Sequence, residues 1–277
     1  MSKTEFAASK DGTRIAYEIA GKGPTLVVVA GALGYKDFPY LRAFVADFAK
    51  DFRVVIYDRR GRGGSGDTQP YSMGKEIDDL EAVIHAAEDP AIVLGTSSGA
   101  ALALEAAARG VPMKALVAFE PPYMVGEHRR PNHVRYESDV SGYVARGDRA
   151  GAVSLFMRTV GIPRFFVGIM RLMPIWKKLK AVAHTLPYDA SIMNDFDLPV
   201  SRFRAIHVPT LVVGGGKSPA ALKDAVRAVG DAIPGAQVVE VPNQNHAIKG
   251  AALAPTVREF LTMTQPKGAR ATVSVHA

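Results

Sequence analysis

The sequence predicts an α/β fold: a mostly parallel, doubly wound sheet with a helical insertion between two strands. Three observations predict it. Short apolar runs alternate with helical patterns along most of the 277 residues, as they do where helices join parallel strands. Several runs are continuously apolar, which is typical of strands buried on both faces. Residues 123–206 break this alternation and contain mainly helical sequence.

The first sixty residues read as short strands joined by tight turns. Asp11-Gly12 lies between the first two strands and is a hairpin signal. A helix is expected over residues 38–50, because apolar residues recur along one side of it. Its apolar side chains are Leu41, Phe44, Val45 and Phe48. The strands predicted here cover residues 6–9, 13–19, 25–31 and 53–58.

Strand–helix alternation continues on both sides of the insertion. The alanine-rich run 98–109 is strongly helix-forming and follows a buried strand directly. The further predicted strands cover residues 91–95, 114–120, 209–215 and 236–242, and the further helices 74–88, 98–109, 219–232 and 250–264.

The chain therefore divides into two core segments separated by the insertion. Residues 1–122 and 207–265 form the core, and residues 123–206 are expected to fold as a helical cap over one end of the sheet. Residues 266–277 form a C-terminal tail that we expect to be poorly ordered, as exposed termini often are.

Composition and charge restrict the function classes. The net charge is +7, but residues 123–207 hold thirteen Lys/Arg against seven Asp/Glu, so the basicity is local. We interpret it as a solvated helical face, with an acyl-carrier or other acidic partner left open. The absence of cysteine excludes disulfides, thiolate zinc sites and a cysteine nucleophile. Because the basicity is local, we expect no nucleic-acid partner. Neither a secretory signal nor a spanning apolar run is present, so we expect a cytoplasmic protein without a membrane partner.

The clearest chemical signal is VLGTSSGA at residues 93–100. It fits Gly-x-Ser-x-Gly with Ser97 at the centre, between a predicted strand and a predicted helix. A sharp strand-to-helix turn strains the central residue and presents its hydroxyl at the helix N-terminus, where developing negative charge is favoured. The alternative is a small-residue turn that only lets the helix pack closely on the strand.

A nucleophilic serine needs a base, and His246 is the best-placed histidine. It follows the last predicted strand and precedes the final helix, in the loop PNQNHAI (242–248). The alternative is a surface histidine in a polar loop. Other histidines lie on predicted helices or before a strand and are less well placed; these are His85, His184 and His207.

Together these motifs resemble the α/β-hydrolase fold family over roughly residues 4–264, apart from the insertion. DRRGRGGS (58–65) resembles the family's Asp-x-Arg-Gly-x-Gly-x-Ser loop, which implies fold-forming rather than RNA-binding arginines. AGALGY (30–35) resembles the oxyanion loop, with Ala30 where many members have histidine. The resemblance implies an oxyanion hole made by the N–H groups of Ala32 and Ser98, with the Ser98 hydroxyl incidental.

The sequence differs from the family pattern at the third member of the expected catalytic triad, the acid. The resemblance implies an aspartate in the loop after residues 209–215, but Ser218 stands there. A neutral serine cannot stabilise an imidazolium as a carboxylate does. Glu120 ends the strand after the nucleophile helix, from which some members take their acid, and is our candidate. It could instead cap the sheet edge or pair with an arginine of the insertion. Asp195 and Asp197 are lesser candidates.

The sequence thus predicts a serine hydrolase without a cofactor or metal, acting on an ester, lactone or thioester of a small, largely apolar molecule. Ser97, His246 and Glu120 would be catalytic. His128 and His133 lack metal-ligand spacing, and no phosphate-binding loop is present. Two alternatives remain open: a non-catalytic or weakly catalytic ligand-binding protein, and a C–C hydrolase or lyase on the same scaffold.

Overall fold

The structure is a computed structural model that describes residues 3–87 and 90–264, so the predicted tail at 266–277 lies outside the described residues. Eight strands in this part of the chain form one sheet: β1 (Glu5–Ala8), β2 (Arg14–Ala20), β3 (Thr25–Val29), β4 (Arg53–Tyr57), β5 (Ile92–Thr96), β6 (Ala115–Phe119), β7 (Thr210–Gly215) and β8 (Gln237–Val241).

Helices flank the sheet and fill the insertion. Those of the core are α1 (Pro39–Phe48), α2 (Met73–Ala86), α3 (Ser98–Ala108), α11 (Ala220–Ala232) and α12 (Gly250–Thr264). Those of the insertion are α4 (Pro131–Val134), α5 (Tyr136–Ala145), α6 (Arg149–Thr159), α7 (Arg164–Met170), α8 (Ile175–Ala181), α9 (Leu186–Ile192) and α10 (Val200–Phe203).

The strand order is β1-β2-β4-β3-β5-β6-β7-β8. The β1–β2 and β2–β4 pairs are antiparallel, and every later pair is parallel. The predicted fold class is therefore confirmed, with an antiparallel edge at the N-terminal side. Gly12 has φ +82° in the β1–β2 turn, a conformation that glycine adopts without a steric penalty.

Burial explains why the apolar runs became central strands. Every residue of β3, β6 and β7 is buried, because helices cover both faces of the parallel part of the sheet. β8 lies at the edge and alternates between half-buried and exposed residues until its last position. The four apolar residues predicted to share one side of α1 are all buried.

The insertion occupies the connection from β6 to β7. Its described residues contain no strand, which matches the break in alternation seen in the sequence. Trp176 and Leu179 on α8 and Phe203 on α10 are buried, so the insertion packs as part of the same hydrophobic core as the sheet. The carboxyl ends of β5 and β6 lie side by side, with Thr96 paired to Phe119.

Candidate active site

Ser97 lies in the turn between β5 and α3. Its backbone angles are φ 54° and ψ −125°, a region that residues with a side chain rarely adopt. Its N–H donates to the Phe119 carbonyl oxygen over 2.9 Å, which ties the turn to the end of β6. The half-buried side chain forms no hydrogen bond with any described residue. The turn therefore presents a free hydroxyl beside the end of the next strand.

Two glycines make this turn possible. A Cβ on Gly99 would lie 2.2 Å from the Val29 carbonyl oxygen, and one on Gly95 would lie 2.4 Å from the Gly99 oxygen. Both atoms are backbone and cannot move aside alone. The close packing of α3 on the sheet and the exposure of the serine hydroxyl thus have one cause.

We expect Gly99→Ala to lower the free energy of unfolding by about 2 kcal/mol or more, because the new methyl overlaps main-chain atoms of β3. Gly168→Ala is the matched control, since a Cβ there meets nothing within 4 Å. That control should change stability by less than about 1 kcal/mol. Urea unfolding measures both, and equal effects for the two variants would contradict the steric explanation.

His246 and Glu120 form a hydrogen-bonded pair at the same sheet edge. His246 Nδ1 lies 2.6 Å from Glu120 Oε2, and the N–H of Gly215 donates to Glu120 Oε1 over 2.8 Å. The Glu120 side chain is fully buried, whereas His246 is 45% exposed. Glu120 has φ +45°, which turns the chain sharply as it leaves β6. Both carboxylate oxygens thus have partners, as a buried charge requires.

The electrostatics around Glu120 favour its charged form. Burial opposes ionisation, but hydrogen bonding with His246 and the Gly215 N–H outweighs it, so the pKa of Glu120 lies below its ordinary value. The buried hydroxyl of Ser218 also lowers this pKa, although it forms no hydrogen bond of standard geometry. Ser218 therefore lies beside the carboxylate rather than in its place.

The other candidate acids have partners elsewhere. Asp195 Oδ1 accepts from the Glu137 N–H over 2.8 Å, and Asp197 forms an ion pair with Arg129. Neither is hydrogen-bonded to His246. The structure therefore brings Glu120 to His246 and leaves both aspartates in the insertion.

The loop after β3 packs directly against the nucleophile turn. A Cβ on Gly31 would lie 3.1 Å from the Ser97 Cβ. The next residue, Ala32, is half-buried, and Ser98 is buried. Among the described residues, neither the Ala32 N–H nor the Ser98 N–H has a hydrogen-bond acceptor. Both N–H groups are therefore available as donors, one in the residue after Ser97 and one in the loop that packs against its turn.

Buried arginines hold this loop in place. Arg62 Nη1 donates to the Gly31 carbonyl oxygen over 2.8 Å, and Arg59 Nη1 donates to the Ala30 oxygen over 3.2 Å. The Gly31 carbonyl and the Ala32 N–H belong to one planar peptide unit, so fixing the oxygen also fixes the direction of the N–H. These arginines therefore bind backbone oxygens within the fold, as expected of fold-forming residues.

Asp189 on α9 connects the insertion to this cluster. Its carboxylate is fully buried and pairs with Arg59 over 2.8 Å and with Arg62 over 2.7 Å. The Ser98 hydroxyl donates to it over 2.8 Å, so that hydroxyl is not incidental, contrary to our expectation. The two guanidinium groups and this hydroxyl outweigh burial and lower the pKa of Asp189. No motif marks Asp189 in the sequence, because it lies within an ordinary helical segment.

The remaining histidines of interest have other roles in the structure. His128 Nε2 lies 2.9 Å from Asp224 Oδ2, which joins the insertion to α11, and His133 Nδ1 accepts from the Arg130 N–H. In the part of the chain that the structure describes, no group of three or more His, Asp or Glu side chains could hold a metal ion. None of its helices is both long and apolar enough to cross a membrane.

A serine on a strand-to-helix turn over a mostly parallel eight-stranded sheet defines the α/β-hydrolase class of fold. The chain belongs to the alpha/beta hydrolase family, which it matches over residues 26–255. It is 44% identical to an alpha/beta hydrolase from Sphaerobacter thermophilus whose crystal structure is known, with 93% of this chain and 100% of that chain covered and a TM-score of 0.86.

A solved structure of lower identity shares the fold, and a curated protein matches part of the sequence. The enol-lactonase from Burkholderia xenovorans is 24% identical, with 93% and 100% of the two chains covered and a TM-score of 0.65. An uncharacterised hydrolase of Bacillus subtilis, YraK, is 32% identical over 99 residues, 34% of this chain and 35% of that protein. The match to this curated relative thus spans about a third of its length.

Proposed function

We propose that this protein is a cofactor-free serine hydrolase that cleaves an ester, lactone or thioester through an acyl-enzyme. One observation supports this most directly: the His246–Glu120 pair, joined over 2.6 Å, lies at the sheet edge where the strained turn presents Ser97. A serine, a histidine and a buried carboxylate in this order are the groups that nucleophilic acyl transfer requires.

The proposed mechanism assigns each group a step. Ser97 Oγ attacks the substrate carbonyl while His246 Nε2 takes the hydroxyl proton. Glu120 accepts from Nδ1–H and stabilises the imidazolium, and the Ala32 and Ser98 N–H groups bind the oxyanion. His246 then gives its proton to the leaving oxygen or sulfur. Water, deprotonated by His246, attacks the acyl-enzyme carbonyl. The bond to Ser97 Oγ then breaks, His246 returns the proton to that oxygen, and the acid leaves.

The proposed substrate is a small, largely apolar acyl compound, with the insertion acting as a cap over the site. In support of this, Asp189 on α9 of the insertion pairs with Arg59 and Arg62, which donate to the loop of the proposed oxyanion hole. Solved structures of similar fold include the enol-lactonase and a thermophilic esterase from Thermogutta terrifontis, the latter 21% identical with a TM-score of 0.69. Those two proteins are named for activity on a lactone and on esters.

Labelling with a fluorophosphonate probe tests the proposal. We expect stoichiometric labelling of the wild type and none of Ser97→Ala, because the probe bonds only to an activated serine oxygen. Ser201→Ala, at an exposed position on α10, is the control and should label fully. A folded wild-type protein that stays unlabelled would instead support the ligand-binding alternative.

A further inference from the structure

An apolar patch projects from the insertion on and beside α7. It consists of Phe165, Phe166, Ile169, Leu172 and Met173, which are between 43% and 89% exposed. The opposite side of α7 is anchored by Val167, which is buried. A surface helix normally turns polar residues outward. Here both sides of the helix are apolar. The outer side is exposed, although its composition is that of a surface buried against a partner.

The patch lies within a basic stretch of the sequence. Residues 149–188 contain seven Lys/Arg and no Asp or Glu. None of these seven side chains forms an ion pair with a described residue. Those nearest the patch are exposed: Arg164, Arg171, Lys177 and Lys178. The stretch therefore combines exposed apolar side chains with cations that no described carboxylate neutralises. Its seven cations equal in number the net charge of the chain, +7.

We infer that this patch docks the protein on a lipid surface that bears anionic headgroups. Exposed aromatic and aliphatic side chains insert at the boundary of headgroups and acyl chains, while each nearby Lys or Arg contributes about 1 kcal/mol of attraction to an anionic leaflet. Phe165 is 73% and Leu172 89% exposed, so they project rather than line a groove. The contact is peripheral and needs no spanning helix.

A second copy of the chain fits this surface less well. In a symmetric dimer the same patch would face itself and bring two sets of uncompensated cations together. An anionic lipid surface supplies the opposite charge and an apolar layer at once. The sequence predicts no membrane partner because it has no spanning apolar run. A surface contact follows from side chains that only the folded chain shows to be exposed.

Co-sedimentation with vesicles tests this inference without using the hydrolase proposal. The probes are phosphatidylcholine vesicles and vesicles of phosphatidylcholine mixed with phosphatidylserine. We expect binding to the mixed vesicles only, weakened by added salt. The double variant Phe165→Ser/Leu172→Ser should lower the partition coefficient at least about tenfold, since it removes the two most exposed apolar side chains. Lys177→Ser/Lys178→Ser should also weaken binding to the mixed vesicles and reduce its dependence on salt.

Matched controls lie elsewhere on the surface. Met263→Ser removes a 58% exposed apolar side chain on α12, and Lys22→Ser/Lys114→Ser removes two exposed cations. Both controls should bind as the wild type does. Failure of the wild type to bind, or equal binding by all variants, overturns the inference. The inference is also overturned if the protein binds no vesicles but self-associates, and the double variant abolishes that self-association; the patch would then be a dimer interface. A higher KM of the double variant for a water-soluble ester would also overturn the inference, because it would place the patch in a substrate pocket.

Discussion

Replacing Glu120 by glutamine is expected to lower kcat for a short-chain ester by at least about a hundredfold, and by up to about four orders of magnitude. The amide keeps the shape of the carboxylate, and its oxygen can still accept from the Gly215 N–H. Its NH₂ group would then face His246 Nδ1 and force that nitrogen to be the acceptor. Nε2 would carry the proton instead and could not take one from Ser97.

The controls for this prediction separate chemistry from folding. Glu105→Gln also neutralises a fully buried glutamate, one that pairs with Arg202 over 2.7 Å. It should cost stability but leave kcat within a fewfold of the wild type. Asp195→Asn and Asp197→Asn should likewise retain turnover, because their carboxylates bond within the insertion. Unchanged kinetics for Glu120→Gln would contradict the assignment of Glu120 as the acid that orients His246. Ser218 would then be the next candidate for that role.

Asp189→Asn should lower the free energy of unfolding by about 3 kcal/mol or more, because it leaves buried guanidinium groups without their shared counter-charge. Arg59 retains Glu76 at 2.6 Å, but Arg62 forms no ion pair with any other described carboxylate. Once Arg62 is less firmly held, the Gly31–Ala32 peptide is less firmly oriented. We therefore also expect a fall in kcat with little change in KM, as for loss of an oxyanion donor.

Urea unfolding and ester kinetics measure these two effects separately. Asp231→Asn is the control, because this aspartate is exposed on α11 and forms no ion pair with a described residue. It should change stability by less than about 0.5 kcal/mol. A loss below about 1 kcal/mol in Asp189→Asn would show that the cluster is not the buried ionic unit that its geometry describes.

Much of the fold and part of the site could be predicted because their signals are local. Continuous apolar runs separate central strands from helices, and the Gly-x-Ser-x-Gly spacing marks a turn whose glycines meet backbone atoms at 2.2–2.4 Å. His246 could be selected because its loop follows the last strand, and such loops gather at one edge of a parallel sheet.

Other features depend on contacts between residues far apart in the sequence. Glu120 was one of several carboxylates near the expected edge, and only its φ of +45° and the 2.6 Å contact with His246 distinguish it. Asp189 is 127 positions from Arg62, and no local pattern pairs them. The exposure of Phe165 and Leu172 was equally hidden, since an apolar residue in a helical stretch is usually buried.

By itself, the sequence determined the α/β architecture, the strained serine turn and the basic, acid-free stretch 149–188, because each is written in neighbouring residues. Only the tertiary structure decided which carboxylate contacts His246, which arginine fixes the peptide of the Ala32 N–H, and which apolar side chains face solvent. The physical reason is that charge pairing, peptide orientation and burial depend on distances between residues far apart in the chain. The order of residues in one sequence does not give those distances.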